Sequence, residues 1–217
     1  MEMGKSWMLP IDKTYSLVTQ LEGLEELKQA ASGKQGIILL APHLSNWEIF
    51  GMYACQNIVS TFMYQPPKLP ALDRLLQRTR SRGGMKLAPA DRKGVSLLLK
   101  ALQRGEMVGV LPDQVPNDEG GVFANFFGKQ ALTMTLVSKL VARSQARVFC
   151  GFVVRLPKSG GFKLTIREAD KSIYDEDLIP SVSGLNKSVE NCVLTAVEQY
   201  QWEYKRFRRQ SDGEKFY

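Results

Sequence analysis

The stretch Gly36-Ile37-Ile38-Leu39-Leu40-Ala41 carries no polar side chain at all. At the two-residue period of a β-strand, such a segment puts apolar groups on both faces of its sheet, so it belongs inside a sheet that is covered twice. Met107 to Leu111 repeats the pattern, and Val59 to Tyr64 reads as a further strand of the same kind. The segments between them have helical spacing. One, Pro70 to Arg82, opens on a proline, and another, Arg92 to Arg104, is closed by Gly105. Alternating apolar strands and helices imply an α/β fold: a mixed, mostly parallel sheet flanked by helices on both faces, in a single domain spanning residues 1–217. In such sheets ligands bind past the carboxyl ends of the strands, which puts Pro42-His43 and Pro112-Asp113-Gln114 on one edge.

The remaining elements follow from the same patterns. Helices are predicted from about Ile11 to Ala31, from Ser45 toward Gln56 and from Thr133 to Ser144, the last after a loop rich in Gly and Phe at Gly120 to Gly128. Strands at Arg147 to Leu156 and Phe162 to Glu168, joined by Lys158-Ser159-Gly160-Gly161, predict an antiparallel hairpin. Val193, Val197, Tyr200, Tyr204 and Phe207 recur at spacings of 4, 3, 4 and 3, which predicts a long C-terminal helix. No apolar run approaches the roughly 18 residues of a spanning helix. Met1 to Pro10 lacks the apolar core of a secretory signal.

Composition narrows the chemistry. Cys55, Cys150 and Cys192 are widely spaced without a C-x-x-C pair, which reads as buried thiols in a reducing compartment. With one histidine, His43, a metal site would need ligands gathered singly from distant positions, so no metal is expected. The net charge of +7 is localised: Phe62 to Glu106 holds ten basic residues against three acidic ones. Such a face is either a plain solvated surface or a docking patch for an acidic carrier protein, a phosphorylated lipid or an anionic membrane. A P-loop is excluded because Gln130 follows Gly128-Lys129, and a serine hydrolase is excluded by the lack of G-x-S-x-G. Phe123, Phe126 and Phe127 suit a packed loop or an acyl groove better than a base-stacking surface, so nucleic acid is not an expected partner.

The densest chemical signal is Ala41-Pro42-His43-Leu44-Ser45-Asn46-Trp47-Glu48. Helical positions five apart diverge by about 140°, so His43 must stand in the loop before the helix to meet Glu48. From there Glu48 can hold one ring nitrogen while the other takes a proton from a substrate hydroxyl. The competing reading is a capping box, Ser45-x-x-Glu48, in which the carboxylate serves only the helix end.

These residues, with others in order, resemble the lipid A branch of the lysophospholipid acyltransferase superfamily. His43-x4-Glu48 is similar to its H-x4-D/E signature, here in the H-x-x-N-W-E form. Further similar blocks are Tyr64-Gln65-Pro66-Pro67 leading to Arg78-x-Arg80, Lys100 to Gln114, Gly121 to Gly128, and Gln199 to Phe207. Gln65 stands where an arginine is usual. The resemblance implies transfer of a fatty acyl chain from an acyl carrier protein thioester to a hydroxyl of a lipid A precursor, without a further cofactor, by a peripheral protein at the cytoplasmic face of the bacterial inner membrane. It implies His43 as general base and Glu48 as its partner, with Arg80 and Asp113 next at the site and Asn46, Arg92 and Gln114 as further substrate-binding candidates. It also implies an N-terminal membrane anchor ahead of the His motif, for which this sequence has no counterpart; the basic segment and Trp202 with Lys205 and Arg206 are the expected substitutes. The alternatives are a lysophospholipid or other hydroxylated lipid as acceptor, or a non-catalytic lipid- or carrier-binding remnant of the fold.

Overall fold

A computed structural model describes residues 2–213 and Tyr217. The chain runs through α1 (Glu2–Met8), α2 (Ile11–Tyr15), β1 (Val18–Glu22), α3 (Leu24–Ala31), β2 (Ile37–Leu40), α4 (Trp47–Ala54), β3 (Ser60–Tyr64) and α5 (Pro70–Arg82). It continues through β4 (Met85–Pro89), α6 (Arg92–Gln103), β5 (Met107–Val110), β6 (Gly121–Phe126), β7 (Lys129–Met134), α7 (Leu136–Ser144), β8 (Arg147–Arg155), β9 (Phe162–Glu168) and α8 (Leu178–Val193). Seven strands form one sheet in the order β1-β9-β8-β2-β5-β3-β4, parallel except for the β8–β9 hairpin. The α/β class, the parallel centre and the hairpin are as the sequence predicts.

The side chains of β2 show why the sheet is covered twice. Ile38 and Leu40 join a core built with Leu98 and Leu102 of α6, Val137 and Leu140 of α7, and Leu185 and Val189 of α8. Ile37 and Leu39 face the opposite core, with Leu24 and Leu27 of α3 and Ile49, Phe50 and Met52 of α4. Two apolar faces on one strand thus recruit helices from both sides. At Gly109 in β5 a β-carbon would lie 2.1 Å from the Phe62 ring, so the glycine lets that ring lie flat across the sheet. All three cysteines are free and buried, as expected, with the Cys192 Sγ 3.3 Å from that of Cys150.

Four local expectations are corrected. The helix expected over Ile11 to Ala31 is interrupted by β1, whose Val18 and Gln20 to Glu22 pair in parallel with β9. Met85–Pro89, unassigned from the pattern, is the edge strand beside β3. The loop expected at Gly120 to Gly128 is instead strand β6, paired antiparallel with β7, and α7 begins at Leu136 instead of Thr133. Its turn, Phe127-Gly128, has φ of +50° and +75°, the doubly left-handed geometry that matches the twist of a tight hairpin. Phe127 tolerates it because its N–H donates to the Glu190 carboxylate (2.6 Å) and its ring packs on Phe126 and Trp202.

The predicted C-terminal helix is the fourth. α8 stops at Val193, and the 4-3-4-3 pattern beyond it folds as two short 3₁₀ turns, Val197–Gln199 and Trp202–Tyr204, joined by extended chain. Helical periodicity lost to tertiary demand there, because this segment supplies backbone partners to a buried loop described below. No helix among the described residues is long and apolar enough to cross a membrane.

Candidate active site

Strands β2 and β5 are parallel neighbours in register, Leu40 opposite Val110. Each is followed within two residues by a proline, Pro42 and Pro112, which has no N–H to continue the ladder. The two loops therefore leave the sheet side by side. After Pro42 the chain turns sharply, with Leu44 N–H on Pro42 C=O (2.7 Å) and Ser45 at φ +52°, so that His43 is presented sideways before α4 begins.

Asp113 receives it. The His43 backbone N–H donates to Asp113 Oδ2 (2.8 Å) and the ring Nδ1 bonds Asp113 Oδ1 (2.8 Å). A carboxylate can only accept, so Nδ1 carries the proton and Nε2 is left with its lone pair. That lone pair meets Gln114 Nε2 at 3.1 Å. Trp47 closes one side of the imidazole, edge-on at 4.7 Å between ring centres. His43 and Asp113 are 8% and 4% exposed, so the pair works largely out of water.

The partner expected for His43 was Glu48, and here the geometry differs. Glu48, buried at the first turn of α4, is held in a two-pronged ion pair by Arg80 of α5, Nε to Oε2 at 3.2 Å and Nη2 to Oε1 at 2.7 Å. The reason is topological: α5 packs its Arg80 against the helix that carries Glu48, while the β5 loop reaches His43 first. The capping-box alternative fails as well. The N-cap of α4 is Asn46, whose Oδ1 accepts from Ile49 N–H (3.1 Å) and whose amide meets Ser6 of α1.

The polar groups face a cavity of about 440 Å³, whose wall includes Phe62, Met63, Leu76, Met85, Val110 and Met134. His43, Glu48, Arg80 and Gln114 line it, while Asp113 sits behind His43. Asn46 and Arg92, both expected to bind substrate, are not in the wall: Asn46 is engaged at the helix cap, and Arg92 is exposed at the start of α6. Beyond Glu48, Arg80 lies over the Tyr64 ring (5.2 Å), and the Tyr64 hydroxyl donates to Asp73. Burial, followed by that bond to a carboxylate, pushes the Tyr64 phenol up to about 12.

Two groups of residues escaped the sequence reading. Met3 and Trp7 of α1 line the cavity, and the Trp7 indole N–H is buried with no hydrogen-bond partner among the described residues. The segment after α8 clasps the His43 loop: Ser45 N–H donates to Gln199 C=O (2.8 Å), Gln201 N–H donates to His43 C=O (3.1 Å), and Leu44 forms a bridge with Tyr200. Arg206, expected to face a membrane, is instead buried, donating to Leu132 C=O (2.6 Å) and Thr133 Oγ1 (2.8 Å) over the Phe126 ring. A signal for it was present in the Gln199 to Phe207 block, read there as helix.

Comparison with known proteins adds a lineage. The family model for bacterial lipid A biosynthesis acyltransferase matches residues 1–209. The chain is similar to the lipid A biosynthesis lauroyltransferase of Escherichia coli, 28% identical over 214 residues, covering 98% of this chain and 69% of that protein. It is similar to a lipid A biosynthesis acyltransferase of Haemophilus influenzae, 32% identical over 198 residues, with 90% and 61% covered. It is also similar to the lipid A biosynthesis palmitoleoyltransferase of Escherichia coli, 28% identical, with 98% and 69% covered. The chain thus spans roughly two thirds of the length of these relatives.

Proposed function

The chain belongs to the bacterial lipid A biosynthesis acyltransferase family, and from that premise we propose that it moves a fatty acyl chain from an acyl carrier protein thioester to a hydroxyl of a lipid A precursor. The observation that carries the proposal is the His43–Asp113 pair beside a mostly apolar cavity: an oriented imidazole whose lone pair, met by the Gln114 amide, stands where an acyl chain can be buried.

The steps follow from the tautomer. The acceptor hydroxyl takes the position of the Gln114 amide at His43 Nε2, which removes its proton as the oxygen attacks the thioester carbonyl carbon. Asp113 holds Nδ1–H and stabilises the imidazolium that forms. The tetrahedral intermediate expels the carrier's thiolate, the C–S bond breaks, and the imidazolium returns the proton to sulfur, leaving an ester. No acyl-enzyme is needed. In this reading Arg80, the cation of the cavity wall, opposes negative charge on the intermediate or on an acceptor phosphate, and Glu48 fixes its guanidinium plane. The basic Phe62 to Glu106 surface receives the acidic carrier, and the protein works at the cytoplasmic face of the inner membrane.

The test is acyl transfer in mixed micelles from acylated carrier protein to a tetra-acylated lipid A precursor and, separately, to lysophospholipids. Transfer to the precursor, slowed by raised salt as carrier docking weakens, supports the proposal. Transfer to lysophospholipid alone moves the acceptor class, and a folded but inert chain would leave a lipid- or carrier-binding role.

A further inference from the structure

We propose that Tyr200 and Arg206 are positioning residues for the His43–Asp113 pair, placed there by the C-terminal segment that wraps the His43 loop. The inference rests on the acyl-transfer reading for its kinetic arm only.

The geometric part is a set of bonds that converge from one side. Gln199, Tyr200 and Gln201 hold Ser45, Leu44 and His43 by backbone contacts, and the Tyr204 hydroxyl accepts from Val115 N–H (3.1 Å), two residues after Asp113. One short segment therefore grips both loops that form the pair. A helix over these residues, as their spacing suggests, would satisfy its own backbone and leave His43 C=O and Ser45 N–H buried without partners, which is costly.

The electrostatic part is a buried cation. Arg206 is 3% exposed, and its two bonds go to neutral groups, with Thr133 held in turn by Asn186 of α8. An ionised guanidinium in such a place needs an opposing charge. Burial pulls the guanidinium toward its neutral form, and the groups that oppose this are Tyr200 and Asp113, the latter a carboxylate buried behind His43. Asp113 has a matching need, since its two His43 bonds are donated by a backbone amide and a neutral ring. The groups that face the pair are then Tyr200, Tyr204 and Arg206 from the C-terminal segment, Cys150 from β8, Gln114 beside the ring, and Glu48 with Arg80 in the cavity wall. Burial drives the Tyr200 hydroxyl strongly toward its neutral form, and Asp113 reinforces this, so the hydroxyl keeps a proton to offer the carboxylate.

Removing a cation, or a donor to the carboxylate, makes the coupled pair bind a proton more readily, so its acidic titration moves to higher pH. The only histidine in the chain gives one imidazole signal to follow by NMR, whether or not the enzyme turns over. The variants are Arg206→Met, Arg206→Lys and Tyr200→Phe in the full chain. Arg206→Met should shift the His43 titration and the acidic limb of kcat to higher pH and lower kcat by about 10- to 100-fold, the scale of losing one support of a charged group. Arg206→Lys should restore the limb, and Tyr200→Phe should show the same upward shift at smaller amplitude. Should Arg206→Met not fold, Tyr200→Phe decides alone, since it deletes one oxygen and keeps the ring. A folded Tyr200→Phe protein with unmoved His43 titration overturns the proposal. An inert wild type whose His43 titration nonetheless shifts in these variants overturns the acyl-transfer reading and leaves this proposal standing.

Discussion

Two buried carboxylates flank the cavity, and they are paired with different bases. Asp113 meets an imidazole, which can take and release a proton at neutral pH. Glu48 meets a guanidinium, which keeps its charge at any such pH and can only shape a field. The first pair is built from strand-end loops held by the C-terminal segment. The second is built between two helices, α4 and α5. Under the proposed function, proton transfer belongs to one side of the cavity and charge stabilisation to the other, although the motif alone would join His43 to Glu48.

Substitutions can break that division, beginning with the largest expected effect. His43→Ala should lower kcat by roughly 10²- to 10⁴-fold, the usual contribution of a general base, measured as acyl transfer by a protein with unchanged circular dichroism. Arg80→Lys should cost about tenfold in kcat/KM, because an ammonium cannot make the two-pronged contact that orients the charge; steady-state kinetics over acceptor concentration would check it. Asn46→Ala should lower unfolding free energy by about 1 kcal/mol, as for other helix caps, read from urea denaturation. If it raised KM instead, the resemblance-based role of Asn46 in substrate binding would return.

The smallest effect is in alkaline stability. Tyr64 is raised in the fold to about 12, from an ordinary value of about 10. The folded state therefore holds this proton longer than the unfolded one. Its contribution is present below pH 10 or so and is lost as pH rises toward about 12. The gap in unfolding midpoint between wild type and Tyr64→Phe should narrow across that window and be constant below it.

What the sequence revealed and what it concealed divide along the same line. The β2 and β5 runs, the proline after each, and helices α5 and α6 depend on local residue choice, and all were legible. β1 was hidden because Val18 to Glu22 is a five-residue edge strand set within a helical pattern. The β6–β7 hairpin was hidden because its left-handed turn is Phe127-Gly128 in place of an Asn-Gly or Asp-Gly pair. At the site, His43 was visible as the lone histidine after a strand. Its pairing was not, because Asp113 lies 70 residues away and Glu48 only five, and separation along the chain says nothing about contact. The extended path around Tyr200 was masked by a spacing that fits a helix, of which the structure buries Tyr200 and Phe207 along an irregular segment and leaves Val197 exposed.

The most direct measurement sets Asp113→Asn against Glu48→Gln in the same acyl-transfer assay, both proteins verified as folded and Arg80 intact. Asp113→Asn should remove most of kcat, since the amide no longer fixes the His43 tautomer, by up to about 10⁴-fold where an orienting carboxylate has been removed elsewhere. Glu48→Gln, which keeps shape and loosens Arg80, should lose at least about tenfold less than that, consistent with losing one charged hydrogen bond. The reverse order, with Glu48→Gln the more damaging and Asp113→Asn near wild type, would contradict the assignment of Asp113 as the residue that holds the base.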